Sequence, residues 1–478
     1  MLIGTNLSKS YTGTSVFEGI NFKIGNNKKV ALVGKNGCGK STLLIIIVGQ
    51  TESNSGYINH ENETIGYIPQ QFTFPDEFIG EYFEKKLEST WDFYKVEKLV
   101  ADLEFINFDP YQQLNTLSEG QKMKIKIIEM MLDNPTILLI DEPTNHLDIE
   151  GIMWFEKFIN RINKTVLMIS HDRQFLNNTV DEIWELENKT MLIFPGNYDN
   201  YKEEKLKLIN KWDEEYIQFI KRKAHLEKLL VRARTMNISR KGGTGAVKSR
   251  IKREITQNSI DKYENKKISK IDFKTGITHT KLMVKFKNVS KVFNDNLIFN
   301  NLSFEIRGGE KVWLFGPNGS GKTTIVKLIM GETIPTSGEV IIGNNLKIGY
   351  FAQKQELELS QDNLLNFFIN RTGCTYEESF GKLRKFMFEK DDLKKRVSLL
   401  SPGQRARFSF AIFAYNNYDM LILDEPDNHL DIDTKEILED SLSNYSGTVL
   451  LISHDRFFVE KSGVNKILNL KNGFLKEY

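Results

Sequence analysis

Short apolar runs recur along the chain and set its pattern. Residues 29–33 (KVALV) and 311–315 (KVWLF) each end in a glycine-rich turn and are followed by helix-like stretches, 41–48 and 323–330. Residues 137–140 and 420–423, and then 165–169 and 448–452, are continuously apolar, as parallel strands buried on both faces must be. Strand and helix therefore alternate in two separate stretches, which predicts an α/β fold. A different pattern runs between them. Ile209, Trp212, Tyr216, Phe219, Lys223, Leu226 and Leu230 step by three or four, with Leu229 beside the last, and form a helical seam. Gly242, Gly243 and Gly245 break it, after which Val247, Ile251 and Ile255 step by four in a weaker pattern. Two antiparallel helices joined near residues 231–250, VRARTMNISRKGGTGAVKSR, satisfy both patterns.

Composition narrows the class. The 478 residues, 40% apolar with a net charge of +2, suffice for two or three domains with cores. The longest apolar run, 43–48, is far short of the ~20 residues of a membrane helix, and no leader opens the chain. A soluble, uncleaved protein is expected. Cys38 and Cys374 exclude a disulfide scaffold, a CxxC pair and a cysteine-ligated cluster, which fits a reducing cytoplasm. The small net charge hides an asymmetry: residues 201–281 hold 22 Lys+Arg against 10 Asp+Glu, +12, so the remainder carries −10. A basic segment in an acidic chain points to a polyanion that meets one part of the protein.

The two apolar patterns belong to a repeat. GKNGCGKS begins at Gly34 and GPNGSGKT at Gly316, 282 residues later. YIPQ and YFAQ, LSEGQ and LSPGQ, ILLIDEPTNHLD and MLILDEPDNHLD, and MISHDRQF and LISHDRFF each match at an offset of 283. The expected domains are residues 1–200, a basic helical linker at 201–281, and 282–478.

Both GxxxxGK[ST] loops carry phosphate chemistry, because glycines let backbone N–H groups turn inward at a helix N-terminus. Gly34, Asn36, Gly37, Gly39, Lys40, Ser41 and Thr42, with Gly316, Asn318, Gly319, Gly321, Lys322, Thr323 and Thr324, are candidate ATP-binding residues. Lys40 and Lys322 are placed to reach the β- and γ-phosphates, and Ser41 and Thr323 to ligate Mg²⁺. Asp141 and Asp424 end apolar strands and are candidate Mg²⁺ residues. Glu142 and Glu425, next in sequence, are candidate general bases for the attacking water, and His171 and His454 candidate contacts to the γ-phosphate.

These residues resemble the ATP-binding-cassette (ABC) superfamily. LSEGQ and LSPGQ look like its signature loops, Gln70 and Gln353 like its Q-loop glutamines, which also touch the metal, and Asp148 and Asp431 like its D-loop aspartates. The resemblance implies heads paired head to tail within one monomer. Ser401, Gly403 and Gln404 then complete the site on Lys40, and Ser118, Gly120 and Gln121 the site on Lys322. Tyr11 and Phe293 resemble the aromatics that stack on adenine. Two departures make the sites unequal: Pro402 stands opposite Glu119, where it removes a donor and fixes φ, and Asp427 stands opposite Thr144.

Two complete heads joined by a basic linker of about 80 residues are similar to the ABC-F translation factors: tandem ABC-type ATPase domains with a two-helix antiparallel coiled-coil linker. The resemblance implies ATP-dependent binding to the ribosome near its E site and a linker directed at the P-site tRNA and the peptidyl-transferase centre. Release follows hydrolysis. Arg232, Arg234, Arg240, Lys241, Lys248 and Arg250 are then candidate contacts to RNA phosphates, with Met236 and Ile238 at the working tip. Gln70 to Ser118 and Gln353 to Ser401 both span 48 positions, so no arm is inserted, and 24 residues follow His454, leaving no C-terminal extension. This looks more like the branch that protects ribosomes from antibiotics than like the housekeeping branch. An energising subunit of a membrane exporter and a DNA-repair ATPase are the alternatives from other classes.

Overall fold

The computed structural model describes residues 1–11, 13–60, 63–105, 108–145, 147–236, 273, 281–293, 296–351, 360–428 and 430–478, with the backbone alone for residues 90 and 230–236. In the first head, β1 (Leu2–Tyr11), β2 (Thr14–Ile24) and β4 (Ser55–Asn59) form an antiparallel sheet in the order β2-β1-β4. Its main sheet holds β3 (Lys29–Val33), β5 (Ile65–Ile68), β6 (Ile137–Asp141), β7 (Thr165–Ile169) and β8 (Glu182–Glu187), parallel in the order β5-β6-β7-β3-β8. β9 (Thr190–Pro195) closes one edge antiparallel to β8.

The second head repeats this plan. β10 (Leu282–Phe293), β11 (Asn296–Arg307) and β13 (Ser337–Ile342) make the small sheet. β12 (Lys311–Phe315), β14 (Ile348–Phe351), β15 (Met420–Asp424), β16 (Thr448–Ile452), β17 (Lys466–Lys471) and β18 (Phe474–Glu477) make the large one, in the order β14-β15-β16-β12-β17-β18.

The apolar runs became the central strands because helices cover both faces of the sheet. All five residues of β6, β7, β15 and β16 are buried. Alternate side chains go to opposite layers. Met420, Ile422, Leu450 and Ile452 pack with Ile325, Val326 and Ile329 of α8 (Lys322–Ile329), while Leu421, Leu423, Val449 and Leu451 pack with Leu438 and Leu442 of α12 (Ile432–Asn444). Each such side chain contributes about 1.5–3 kcal/mol on burial. In the first head α1 (Lys40–Val48) covers one face and α5 (Ile149–Arg161) carries buried Ile152, Phe155 and Ile159. α2 (Ile79–Glu84), α3 (Phe93–Asp102), α4 (Glu119–Leu132) and α6 (Arg173–Thr179) complete that head, and α9 (Leu364–Thr372), α10 (Tyr376–Arg384), α11 (Pro402–Tyr415) and α13 (Arg456–Lys461) the other.

Met1–Asn197 and Lys267–Tyr478 form one compact unit that holds both heads, and Tyr198–Lys266 a second. In the second unit α7 (Tyr198–Met236) runs for 39 residues, roughly 60 Å at 1.5 Å per residue. Of the seam expected from the sequence, Ile209, Trp212, Tyr216, Phe219, Lys223 and Leu226 are its half-buried positions beyond 208, whereas Leu229 is exposed and the Leu230 side chain lies outside the described residues. The expected second linker helix, with its glycine turn, lies outside the described residues. Among the described residues no helix is long and apolar enough to cross a membrane.

Candidate active sites

Each phosphate loop links a central strand to a helix through glycines held at positive φ. Gly39 and Gly321 cap α1 and α8 at φ 105° and 102°, and a Cβ on Gly39 would meet Val16 Cγ1 at 2.3 Å. Lys40 and Lys322 begin the helices, are both 7% exposed, and turn back over the loops. The Lys40 ammonium donates to the carbonyls of Gly34 and Lys35 at 2.8 and 3.2 Å, and that of Lys322 to Gly316 and Pro317 at 2.7 and 3.1 Å. Burial lowers the Lys322 pKa, with Glu425 and Asp148 opposing. Gly37 and Gly319 take φ 82° and 78° at the loop crests, and Thr324 lies in the first turn of α8.

At the strand ends, Asp141 is hydrogen-bonded by the Ser41 side chain, and Thr323 Oγ1 donates to Asp424 Oδ2 at 3.2 Å. Burial raises both aspartates above their ordinary range. Asp141 Oδ1 is buried without a hydrogen-bond partner among the described residues. A hydroxyl oxygen beside a carboxylate with an unspent oxygen fits a hard divalent cation such as Mg²⁺. Glu142 and Glu425 follow at φ 52° and 50°, a left-handed backbone that glutamate adopts only when its surroundings impose it. Their backbone N–H groups donate to Ile169 and Ile452 on the neighbouring strands, which fixes the turn. Burial pushes the Glu142 carboxyl up to about 7, against the pull of Lys40.

The two acid–histidine pairs differ. His171 Nε2 lies 3.1 Å from Glu142 Oε1, whereas His454 Nε2 lies 3.9 Å from Glu425 Oε1. Asn428 Nδ2 instead donates to Glu425 Oε2 at 2.6 Å. Burial takes His454 down to about 4, so its ring is neutral.

Both sites draw on the opposite head. Between the heads a cavity of about 670 Å³ is lined by Tyr11, Asn36, Gly37, Gly39, Lys40, Ser41, Thr42, Gln70, Glu142 and His171 of the first and by Ser401, Gly403, Gln404 and Asp431 of the second. Asp431 accepts from the Asn36 N–H at 3.4 Å, and reciprocally Asp148 from the Asn318 N–H at 3.2 Å. Ser118 and Ser401 cap α4 and α11 in reciprocal bonds with Gln121 and Gln404, at φ/ψ of −65°/158° and −64°/158°. Gly120 and Gly403 follow in the first turns. Pro402 therefore leaves the loop conformation intact: it stands at the first helical position, where an N–H has no helical acceptor. The sequence difference at this point removes one donor and does not remodel the loop.

Tyr11 and Phe293 are 48% and 44% exposed, each under a lysine, Lys9 at 5.0 Å and Lys291 at 4.4 Å from the ring centres. Sequence reasoning missed Met387, Arg407, Asn145 and Thr434 on the cavity wall. Arg407 stands one turn beyond Gln404 on α11, so helical spacing was its available signal. Met387, at φ 62°, arrives from a distant loop and carries no such signal. Gln353, Ile238, Arg240, Lys241, Lys248 and Arg250 lie outside the described residues, while Arg232, Arg234 and Met236 occupy the last turns of α7.

Known proteins are similar to this chain. The ABC transporter family model matches residues 17–145 and 299–428. ABC transporter F family member 2 of Arabidopsis thaliana is 32% identical over 525 residues, covering 99% of this chain and 77% of that protein. Ribosome protection protein VmlR of Bacillus subtilis (strain 168) is 30% identical over 504 residues, covering 99% of this chain and 87% of that one. Among solved structures, RNase-L Inhibitor superposes with a TM-score of 0.64 at 20% identity over 97% of this chain and 87% of that chain, a likeness of fold alone. Two phosphate loops, the first of them faced across a cavity by the signature helix of the opposite head, together with matches over the whole chain, make this protein a member of the F family of ABC proteins and an ATP-hydrolysing ATPase.

Proposed function

We propose that the chain is a ribosome-associated ATPase of ABC-F type that binds near the E site with ATP between its heads, directs its linker at the P-site tRNA and the peptidyl-transferase centre, and leaves after hydrolysis. The observation that carries this reading is the 30% identity over 99% of the chain to a protein named for ribosome protection. The +12 charge of residues 201–281 supports it, because lysines and arginines that neutralise RNA phosphates release counterions. The same relative favours the antibiotic-protecting branch, in which the tip around Met236 and Ile238 acts on the drug-binding region. A reducing cytoplasm and a monomeric chain belong to this reading.

At each site the phosphate loop and its lysine hold the β- and γ-phosphates, and the signature serine and glycine of the other head close over the γ-phosphate. Ser41 and Asp141, and Thr323 and Asp424, with Gln70 and Gln353, hold Mg²⁺, which neutralises phosphate charge when bound. Glu142 and Glu425 accept the proton of the attacking water. His171 and His454 steady the γ-phosphate side of each site. Tyr11 and Phe293 offer ring faces to adenine.

A Glu142→Gln, Glu425→Gln chain is expected to bind ATP, to fail in hydrolysis and to sediment with ribosomes in ATP. Sedimentation free of ribosomes overturns the ribosomal reading. In a drug-sensitive host, raised inhibitory concentrations for peptidyl-transferase inhibitors support protection, and no shift with any drug favours the housekeeping factor. A shift lost on replacing residues 236–241 by a glycine-serine linker, with ribosome binding intact, assigns protection to the tip.

A further inference from the structure

The heads meet through ion pairs in a two-fold pattern that is broken around Lys435. Arg173, at the start of α6, pairs with Glu439 of α12 (Nη1 to Oε2 3.1 Å), and its counterpart Arg456, at the start of α13, pairs with Glu156 of α5 at 2.9 Å. Beside these pairs the heads diverge. Lys435 on α12 stands where α5 carries Ile152, and Asp427 where the first head carries Thr144. Lys435 is 5% exposed, and its ammonium donates to Asp455 Oδ2 of its own head at 2.9 Å and to the backbone carbonyl of His171 in the other at 3.2 Å. Burial works against that charge, but Asp455, Asp427 and Asp172 hold the lysine above its ordinary pKa.

A buried ammonium is costly unless its N–H groups find acceptors, and one of those it finds is the main chain of a candidate catalytic residue in the opposite head. The His171 ring stands 3.1 Å from Glu142, whereas His454 stands 3.9 Å from Glu425. At the position matching Lys435 the second site has Ile152, which has no donor to offer the His454 carbonyl.

We propose that Lys435 is a positioning residue for the first ATP site. From the second head it grips the His171 main chain and sets the imidazole against Glu142, a clamp that the second site lacks. The two sites are then unequal through this contact rather than through Pro402. The inference rests on the reading above that Glu142 and His171 act on the γ-phosphate.

Each site is read alone in the full chain by steady-state ATP hydrolysis, the first in a Glu425→Gln background and the second in Glu142→Gln. Lys435→Met is expected to lower kcat of the first site at least about tenfold, with its KM and the kcat of the second site changed less than about threefold. Lys435→Gln, whose amide still donates, is expected to recover part of the loss. Equal losses at both sites, or an effect on KM alone, overturn the proposal in favour of a lysine that merely holds the heads together. Where Lys435→Met does not fold, the pair Asp427→Thr, Lys435→Ile copies the packing the first head already carries. It must show the same site-selective loss, and unchanged first-site turnover in it overturns the proposal. The Glu142→Gln, Glu425→Gln chain separates the two levels. Hydrolysis persisting there rejects the underlying assignment, whereas abolished hydrolysis beside a site-indifferent Lys435→Met rejects the clamp alone.

Discussion

Asp148 accepts from the backbone N–H of Asn318, in the phosphate loop of the opposite head, at 3.2 Å. Its other oxygen caps its own helix α5 through the Gly151 N–H at 2.8 Å. Asp431 does the same in the other direction, toward Asn36 at 3.4 Å and Thr434 at 3.0 Å. One carboxylate thus ties the start of a helix to the phosphate loop of the other head.

Asp148→Ala removes that cap and is expected to cost about 1 kcal/mol in denaturant melting, while Asp148→Asn, which caps about equally well, leaves the melting nearly unchanged. Equal melting of Asp148→Ala and the parent chain contradicts the capping role.

Glu142 and Glu425, proposed above as the general bases, are separable by single substitutions. Each of Glu142→Gln and Glu425→Gln is expected to silence its own site about 10²–10⁴-fold with ATP binding retained. Single-turnover hydrolysis checks this, and the double variant leaves no residual phase.

Lys40 and Lys322 spend their donors on loop carbonyls, which keeps each ammonium beside the phosphate cradle. Lys40→Ala or Lys322→Ala is expected to weaken ATP at its own site by about 1.5–3 kcal/mol, roughly 10–150-fold, the value of a hydrogen bond to a charged group. Titration with a fluorescent nucleotide measures it.

Pro402 leaves the signature loop in the same conformation as its counterpart. Pro402→Ala is expected to lower stability by about 0.4–1 kcal/mol through the unfolded chain. ATP affinity at the first site is expected to change less than about twofold, or 0.4 kcal/mol. A larger change in affinity contradicts equal loop geometry.

Much of this was legible before any coordinates. Strands buried on both faces must be continuously apolar, so 137–140 and 448–452 announced themselves, and the glycines of the phosphate loops are needed where φ is positive and a Cβ has no room. The seam from Ile209 to Leu226 follows from helical spacing, and it falls on the half-buried stripe of α7.

Local pattern determined the two α/β heads, their order and the residues with phosphate chemistry, because propensity, burial period and glycine geometry act over a few residues. Tertiary structure alone decided which residues face each other across the heads. Met387 enters the first cavity from a distant loop, and Lys435, four residues past Asp431 on a helix, reads in sequence as an ordinary solvated charge. It is buried because α12 lies against the start of α6, where the His171 carbonyl supplies an acceptor, while Asp455 of its own head, with Asp427 and Asp172, supplies the countercharge. Desolvation belongs to the assembled interface, and no local window of the sequence contains both Lys435 and the His171 carbonyl it donates to.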